Sequence, residues 1–337
     1  MAASNHGPGV FCVDMNSDRI AGIWLGKRGG GRLGELPLAE NAIQDGRVFE
    51  RGQVTATLRQ LMKELQVPRG APTAIHLPAA FAEIHTLDPA TFGVADTAAI
   101  PDALRFELGH RLSLDPGEEI YDSQPVGDVL LVVSAHREVV EERLWVIQDL
   151  ELDAVLVDVD ALGVFNCMDW SQGSSGVVVQ IGSEFLTSLV VRDGVPAAFL
   201  SATGASVAGI CRRAANETAT LIPSIKALAA GESVKRDDGP APELDPWLRV
   251  WAQQIASEVS IAKQLLVGPE SAAGREEVEL RFAGVPLRAP RLAAAIEEEL
   301  GLPFAAVDPI SPAGLVGKLS TDGAALRGLA RRVELAQ

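Results

Sequence analysis

The strongest constraint on this 337-residue chain is a β-hairpin pattern that occurs twice, near its start and at its midpoint. Val10–Val13 (VFCV) precedes the short polar stretch Asp14–Arg19, and Ile20–Leu25 (IAGIWL) follows it. That arrangement reads as two strands around a turn. In mid-chain, Val177–Ile181 (VVVQI) leads through Gly182, Ser183 and Glu184 into Phe185–Val191 (FLTSLVV). Arg192, Asp193 and Gly194 then supply another turn, because Asp-Gly accepts the positive φ of tight hairpins. Val195–Ala202 reads as a third strand. Two halves that each open in this way predict a duplicated α/β protein.

After each hairpin the apolar period changes to that of helices. Val54, Leu58, Leu61, Met62 and Leu65 form one helical stripe, and Val140, Leu144 and Ile147 form another within about 138–150. Val129–Ala135 and Ala154–Asp160 flank that second helix and are apolar on both faces, as strands covered on both sides must be. Strand, helix and strand together predict a right-handed parallel crossover. In the second half, Trp247, Trp251, Ile255, Val259, Ala262 and Leu266 mark a long helix, followed by a strand at Val278–Ala283. Leu292, Ile296 and Leu300 mark a further helix, and Phe304–Val307 a last strand. The small, polar stretch Ser171–Gly176 is the natural boundary. It places domain one at 1–170 and domain two at 171–337, with the C-terminal helix able to pack back on domain one. Residues 231–246, rich in Gly, Pro and charge, are expected to form a solvated, mobile excursion on domain two.

Composition excludes several classes of function. A formal charge of −16 repels phosphate backbones, so nucleic acid is not an expected partner. No apolar run reaches the ~20 residues of a membrane-spanning helix. Met1–Val10 lacks the basic patch and apolar stretch of a secretory signal, so a cytoplasmic location is expected. Cys12, Cys167 and Cys211 lie far apart and read as small core residues in a reducing compartment. The five histidines show no ligand spacing, and His76 and His85, in strand-like runs, read as satisfied structural residues. Gly29–Gly31 joins two strand-like regions rather than opening a helix, so it reads as a hairpin tip, not a phosphate loop.

Several segments resemble the PilM family of type IV pilus assembly proteins. They are Asn41–Val48 (NAIQDGRV), Ile100–Glu107 (IPDALRFE), Leu114–Asp122 (LDPGEEIYD), the regular stretch Val129–Asn166, Leu302–Phe304 and Asp308–Ile310. The resemblance covers roughly 10–332 apart from the loop near 231–246. It implies an actin-like two-domain fold with hairpin-first β-α-β halves and a small subdomain inserted at about 81–126. It also implies a cytoplasmic scaffold that binds the N-terminal tail of a PilN-like inner-membrane protein. That partner would recruit it to the membrane without insertion and help link the pilus machine to its motor ATPase.

In actin-like ATPases the two hairpin turns present backbone N–H groups to a shared phosphate, and an acidic residue in each organises the magnesium shell. The resemblance assigns this role to Asp14, Asn16 and Ser17 in the first turn, to Gln180, Gly182 and Ser183 in the second, and to Gly284 in the adenine-side loop. The chain departs from the family at each loop. Asn16 stands where Gly is usual, Ala21 where Lys is usual and Gln180 where Asp is usual, and Val285 and Pro286 follow Gly284 where glycines are usual. A lost Lys–phosphate contact alone is worth ~1.5–3 kcal/mol. Pro286 lacks an N–H, and both residues add bulk. The expected outcome is a weak or vestigial site with no catalytic residue and no metal set. It would hold either no cofactor or weakly bound ATP with magnesium.

Two alternatives belong to the same superfamily. An active ATPase or kinase would need a second acidic residue in a suitable loop, and none is evident. A GspL-like component of type II secretion is the other. The partner surface is expected beside the inserted segment, where Phe81–Leu87 is strand-like and Pro101–Leu112 carries Leu104, Leu108 and Leu112 on one stripe. An extended, partly apolar tail fits such a groove, and the acidic body favours Arg or Lys in it, mainly through association rate.

Overall fold

Strands β1 (Val10–Met15) and β2 (Arg19–Leu25) pair antiparallel, with Val10 opposite Leu25 and Met15 opposite Ile20. They open the computed structural model, which describes residues 9–26, 30–88, 117–126, 128–171, 173–217, 221–232, 244–267, 278–310, 312, 314–319 and 323–336. β3 (Gly31–Pro37) continues the meander. A tight hairpin of β4 (Ile43–Gln44) and β5 (Arg47–Val48) then precedes helix α1 (Arg51–Leu65). The predicted stripe of α1 is buried, packing Leu58, Leu61 and Leu65 with Phe11, Val13 and Ile75. β6 (Pro72–Leu77) returns parallel to β1.

The next segment corrects the predicted crossover. β7 (Ala82–Leu87), β8 (Glu119–Val126) and β9 (Val129–His136) form their own antiparallel sheet in the order β7-β9-β8. After helix α2 (Arg137–Asp149), β10 (Asp153–Val159) joins β6 in the larger sheet, so β9 and β10 never share one. An apolar run identifies a strand but carries no information about its partner. Nor is β10 covered on both faces, because Asp153, Ala154 and Val155 are exposed. The helix expected at Pro101–Leu112 lies outside the described residues, as do most of 231–246 and Gly29 of the hairpin tip.

Short helix α3 (Asp160–Asn166) leads into the second half. There β11 (Gly176–Ile181), β12 (Leu186–Arg192) and β13 (Val195–Ala202) form the second meander. Helices α4 (Val207–Glu217), α5 (Ile222–Ala229) and α6 (Leu244–Val267) follow. β14 (Glu279–Gly284) then pairs parallel with β11. The core here packs Trp251, Ile255 and Val259 of α6 with Val177 and Val179, and with Leu292 and Ile296 of α7 (Pro290–Leu300). Phe304–Val307 is not a full strand and makes an isolated parallel bridge, Phe282 with Ala306. Pro303 and Pro309 bracket it, and proline withholds the N–H a longer ladder would use.

The end of the chain returns to the first sheet. β15 (Leu315–Gly317) pairs parallel with β3, completing the order β10-β6-β1-β2-β3-β15. Helix α8 (Ala324–Ala336) lies on the face away from α1, where Leu326, Leu329, Ala330 and Val333 pack on Val10, Cys12, Ala21 and Ile23. All three cysteines are buried, and none is in a disulfide among the described residues.

Candidate functional site

The two hairpin turns meet. Two small cavities, of about 40 and 50 Å³, lie between them. Asp14, Asn16 and Ser17 from the first turn, Gln180, Gly182 and Ser183 from the second, and Gly284 at the end of β14 all line one or both. The seven residues assigned from sequence are therefore neighbours. Gly284 has φ +86°, and a Cβ there would strike the Ile181 carbonyl oxygen, so this position requires glycine.

Much of the polar capacity of these turns is already used. The Asn16 N–H donates to the Arg19 carbonyl at 2.9 Å, and the Gly182 N–H to the Phe185 carbonyl at 2.9 Å. Asp14 is deeply set and accepts from Asn16 Nδ2 at 2.8 Å; burial pushes its pKa up, while nearby Arg19 pulls it down. Gln180 Oε1 is buried without a hydrogen-bond partner among the described residues. Ala21 sits opposite Asp14 in the ladder, and α8 covers it, so a lysine there would lie beneath a helix. Arg19, two residues earlier on the same face of β2, reaches the cleft, as does Arg288. Arg19 pairs with Asp18 at 2.9 Å and Glu35 at 3.5 Å.

An acidic residue missed from the sequence also enters the site. Asp160, the first residue of α3, borders the cavity beside Ser183. Its carboxylate accepts from the Ala79 N–H at 2.9 Å and the Ala161 N–H at 2.7 Å. The visible signal was an Asp where an apolar strand runs into a helix. Burial, then the nearby Asp14 carboxylate, push the Asp160 pKa up to about 7. Because its folded pKa is raised, Asp160 contributes stability that is full below its ordinary range and is lost as pH rises through about 7. Asp160→Asn is therefore expected to gain a few kcal/mol relative to the parent between about pH 5 and 8. Urea unfolding at the two pH values checks this; parallel pH slopes would contradict it.

The mouth of the cleft is tied shut. Glu184, in the second turn, accepts from the Asp45 and Gly46 N–H groups at 2.7 Å each. These are the central residues of the β4–β5 hairpin, with φ +45° and +75° as a tight Asp-Gly turn needs. From the other side the fully buried Arg143 donates to the Gly46 carbonyl at 2.8 Å. Phe81 and Phe185 pack edge to face 6.2 Å apart, and Lys226 pairs with Glu40 at 3.1 Å. Ligand pockets usually measure about 300–1,000 Å³. The residues present do not fit a magnesium nucleotide in this closed arrangement.

A much larger opening lies elsewhere. A cavity of about 500 Å³ separates β8 from β10. Ile120–Pro125, Leu131 and Val133 line one side, Val155–Val159 the other, with Leu77, Val140, Leu162 and Arg332 between. β8 and β10 are each the last strand of their sheet among the described residues. Asp158, only 3% exposed, pairs with Arg332 of α8 at 2.8 Å. His76 lies alongside, opposite Asp158 in the ladder. It is buried as expected but not satisfied, since neither ring nitrogen has a hydrogen-bond partner among the described residues. His85 Nε2 likewise makes no hydrogen bond there, although Glu83 stands 3.5 Å away.

No protein-family model and no curated protein sequence matches the chain. Solved structures do match in shape. A chain of a PilM–PilN type IV pilus biogenesis complex superposes with a TM-score of 0.68 at 16% identity, covering 96% of this chain and 98% of that one. MreB5 of Spiroplasma citri, bound to ADP, gives 0.57 at 8% identity over 98% of both chains. The ethanolamine utilization protein EutJ from Carboxydothermus hydrogenoformans gives 0.56 at 14% identity, over 96% of this chain and 90% of that one. The protein has the actin-like ATPase fold.

Proposed function

We propose that this protein is an actin-like scaffold of the PilM kind that grips the extended N-terminal tail of a PilN-like inner-membrane protein. The observation that carries this reading is the contrast between its two concave sites. The cleft between the hairpin turns leaves cavities of about 40 and 50 Å³, whereas the groove between β8 and β10 leaves about 500 Å³. In this reading the nucleotide site is vestigial and the work is done by the groove. A peptide in the groove would meet a strand edge on either side, so its backbone can add to a ladder. Leu131, Val133, Val140 and Leu162 offer apolar pockets for alternate side chains. The partner would hold the protein at the inner membrane, since no helix among the described residues is long and apolar enough to cross a membrane. Contact with a pilus motor ATPase is part of the same proposal.

Hydrogen exchange of the full chain with a synthetic PilN-like tail peptide tests this. Protection is expected in 119–126 and 153–159, and Mg–ATP in place of the peptide should leave those segments unchanged. Protection confined to α4–α6 would put the binding site on the other half and end this proposal.

A further inference from the structure

Three polar residues, the buried His76 and Asp158 and the partly buried Asp14, form a row across adjacent strands. Val13 pairs with Ile75, and His76 pairs with Asp158, so Asp14, His76 and Asp158 fall side by side on β1, β6 and β10. They share the face covered by α3 and α8, continuing the row of Cys12, Ala74 and Leu156. The ends of this row open into different places. Asp14 lines the cleft between the hairpin turns, whereas Asp158 and its partner Arg332 line the groove between β8 and β10.

The middle of the row is undecided. His76 is 2% exposed, and both ring nitrogens lack a hydrogen-bond partner among the described residues. Its Nδ1 stands 4.0 Å from the Asp14 carboxylate, close enough to bond after a small ring movement but too far to bond now. On the other side Asp158 Oδ2 is buried and unpartnered, while its Oδ1 is taken by Arg332. Gly163 of α3 leaves room for the ring, since a Cβ there would come within 2.7 Å of Nε2. A buried donor and a buried acceptor left apart cost free energy, so the arrangement favours whichever bond the surroundings permit.

We propose that His76 couples the cleft to the groove by donating its single N–H to either Asp14 or Asp158. Burial lowers the His76 pKa to about 4, so at neutral pH the ring is uncharged and carries one proton. It therefore serves one carboxylate at a time. When a cation or donor engages Asp14, the ring N–H turns to Asp158 and loosens the hold of that carboxylate on Arg332. Arg332 is then freed toward the groove. When the groove is filled so that Arg332 is withdrawn, the ring serves Asp158 and Asp14 is left for a ligand. The value of this coupling to function rests on the groove being the partner site; the coupling itself does not.

A double-mutant cycle in the full chain tests it without any ligand. Asp14→Asn and Arg332→Ala share no contact, and independent sites of this kind add to within about a factor of two in the unfolding equilibrium constant. The expected result is non-additivity of fivefold or more in urea unfolding, falling below twofold in a His76→Phe background. Additivity with His76 present overturns the proposal. Where His76→Phe does not fold, ring ¹⁵N shifts of His76 in Asp14→Asn and Asp158→Asn decide instead. The proton is expected to favour different nitrogens in the two variants, and an unchanged ring in both overturns it. Peptide protection in the groove together with an additive cycle would retain the groove and discard the coupling. A coupled cycle without such protection would do the reverse.

Discussion

Replacing Gly328 by valine is expected to displace the C-terminal helix α8 from the first sheet. At this position the Gly163 carbonyl of α3 stands where a Cβ would have to be, and the Cys167 backbone nitrogen is 2.9 Å away. Both obstacles are backbone, so no side chain can rotate aside. Overpacking a core costs about 1–3 kcal/mol when neighbours can adjust. Here adjustment means lifting a helix whose Leu326, Leu329, Ala330 and Val333 are buried. Each fully buried Val or Leu that is exposed costs a further ~1.5–3 kcal/mol. Thermal unfolding should therefore shift down strongly, and amide exchange along 324–336 should approach that of an unprotected segment. The same change would withdraw Arg332 from Asp158 and from the lining of the groove, and Arg331 from Asp169. A melting temperature equal to the parent's would show that the two helices do not meet as described.

Arg143→Met is expected to be the most costly single change at the cleft. The arginine is fully buried on α2 and donates to the Val139 carbonyl at 3.3 Å as well as to Gly46. Burial lowers its pKa to about 10, against the opposing fields of Glu142, Asp14, Asp160 and Glu184. Methionine fills much of the same volume but supplies no charge and no donor. Removing one partner from a buried charge network typically costs about 3–5 kcal/mol, because the remaining charges stay buried. Two consequences separate this from simple loss of packing. The carboxyl of Asp160, already raised, should rise further, steepening the loss of stability toward alkaline pH. The Gly46 turn should also loosen, seen as faster exchange at Asp45 and Gly46 although their partner Glu184 is intact. A variant with parental stability at pH 8 would refute the network.

Local chemistry wrote much of this fold into the sequence. The repeated hairpins are legible because their strands are apolar runs around short polar turns, and the β12–β13 turn that follows because Asp193-Gly194 supplies the positive φ it needs. The stripes of α1 and α6 are legible because a helix buries one face at a fixed period. The seven cleft residues were named through the family resemblance rather than by these signals, and the structure places them around the two neighbouring cavities. Partnership between distant segments was not legible. β9 and β10 look alike as apolar runs, yet one joins a small antiparallel sheet and the other edges the large one. Pairing depends on which edges remain free once the chain has turned, and no single segment records that. Asp160 and Arg19 became site residues only because strand ends and face parity aimed them at the cleft. Ala21, read as a lost contact, was assigned instead to the underside of α8 by a helix some 300 residues later in the chain. The closed cleft, the open groove and the row that joins them were likewise decided by tertiary structure. Each depends on backbone distances between segments far apart in the chain, whereas the sequence by itself determined the period, polarity and turn chemistry of each segment.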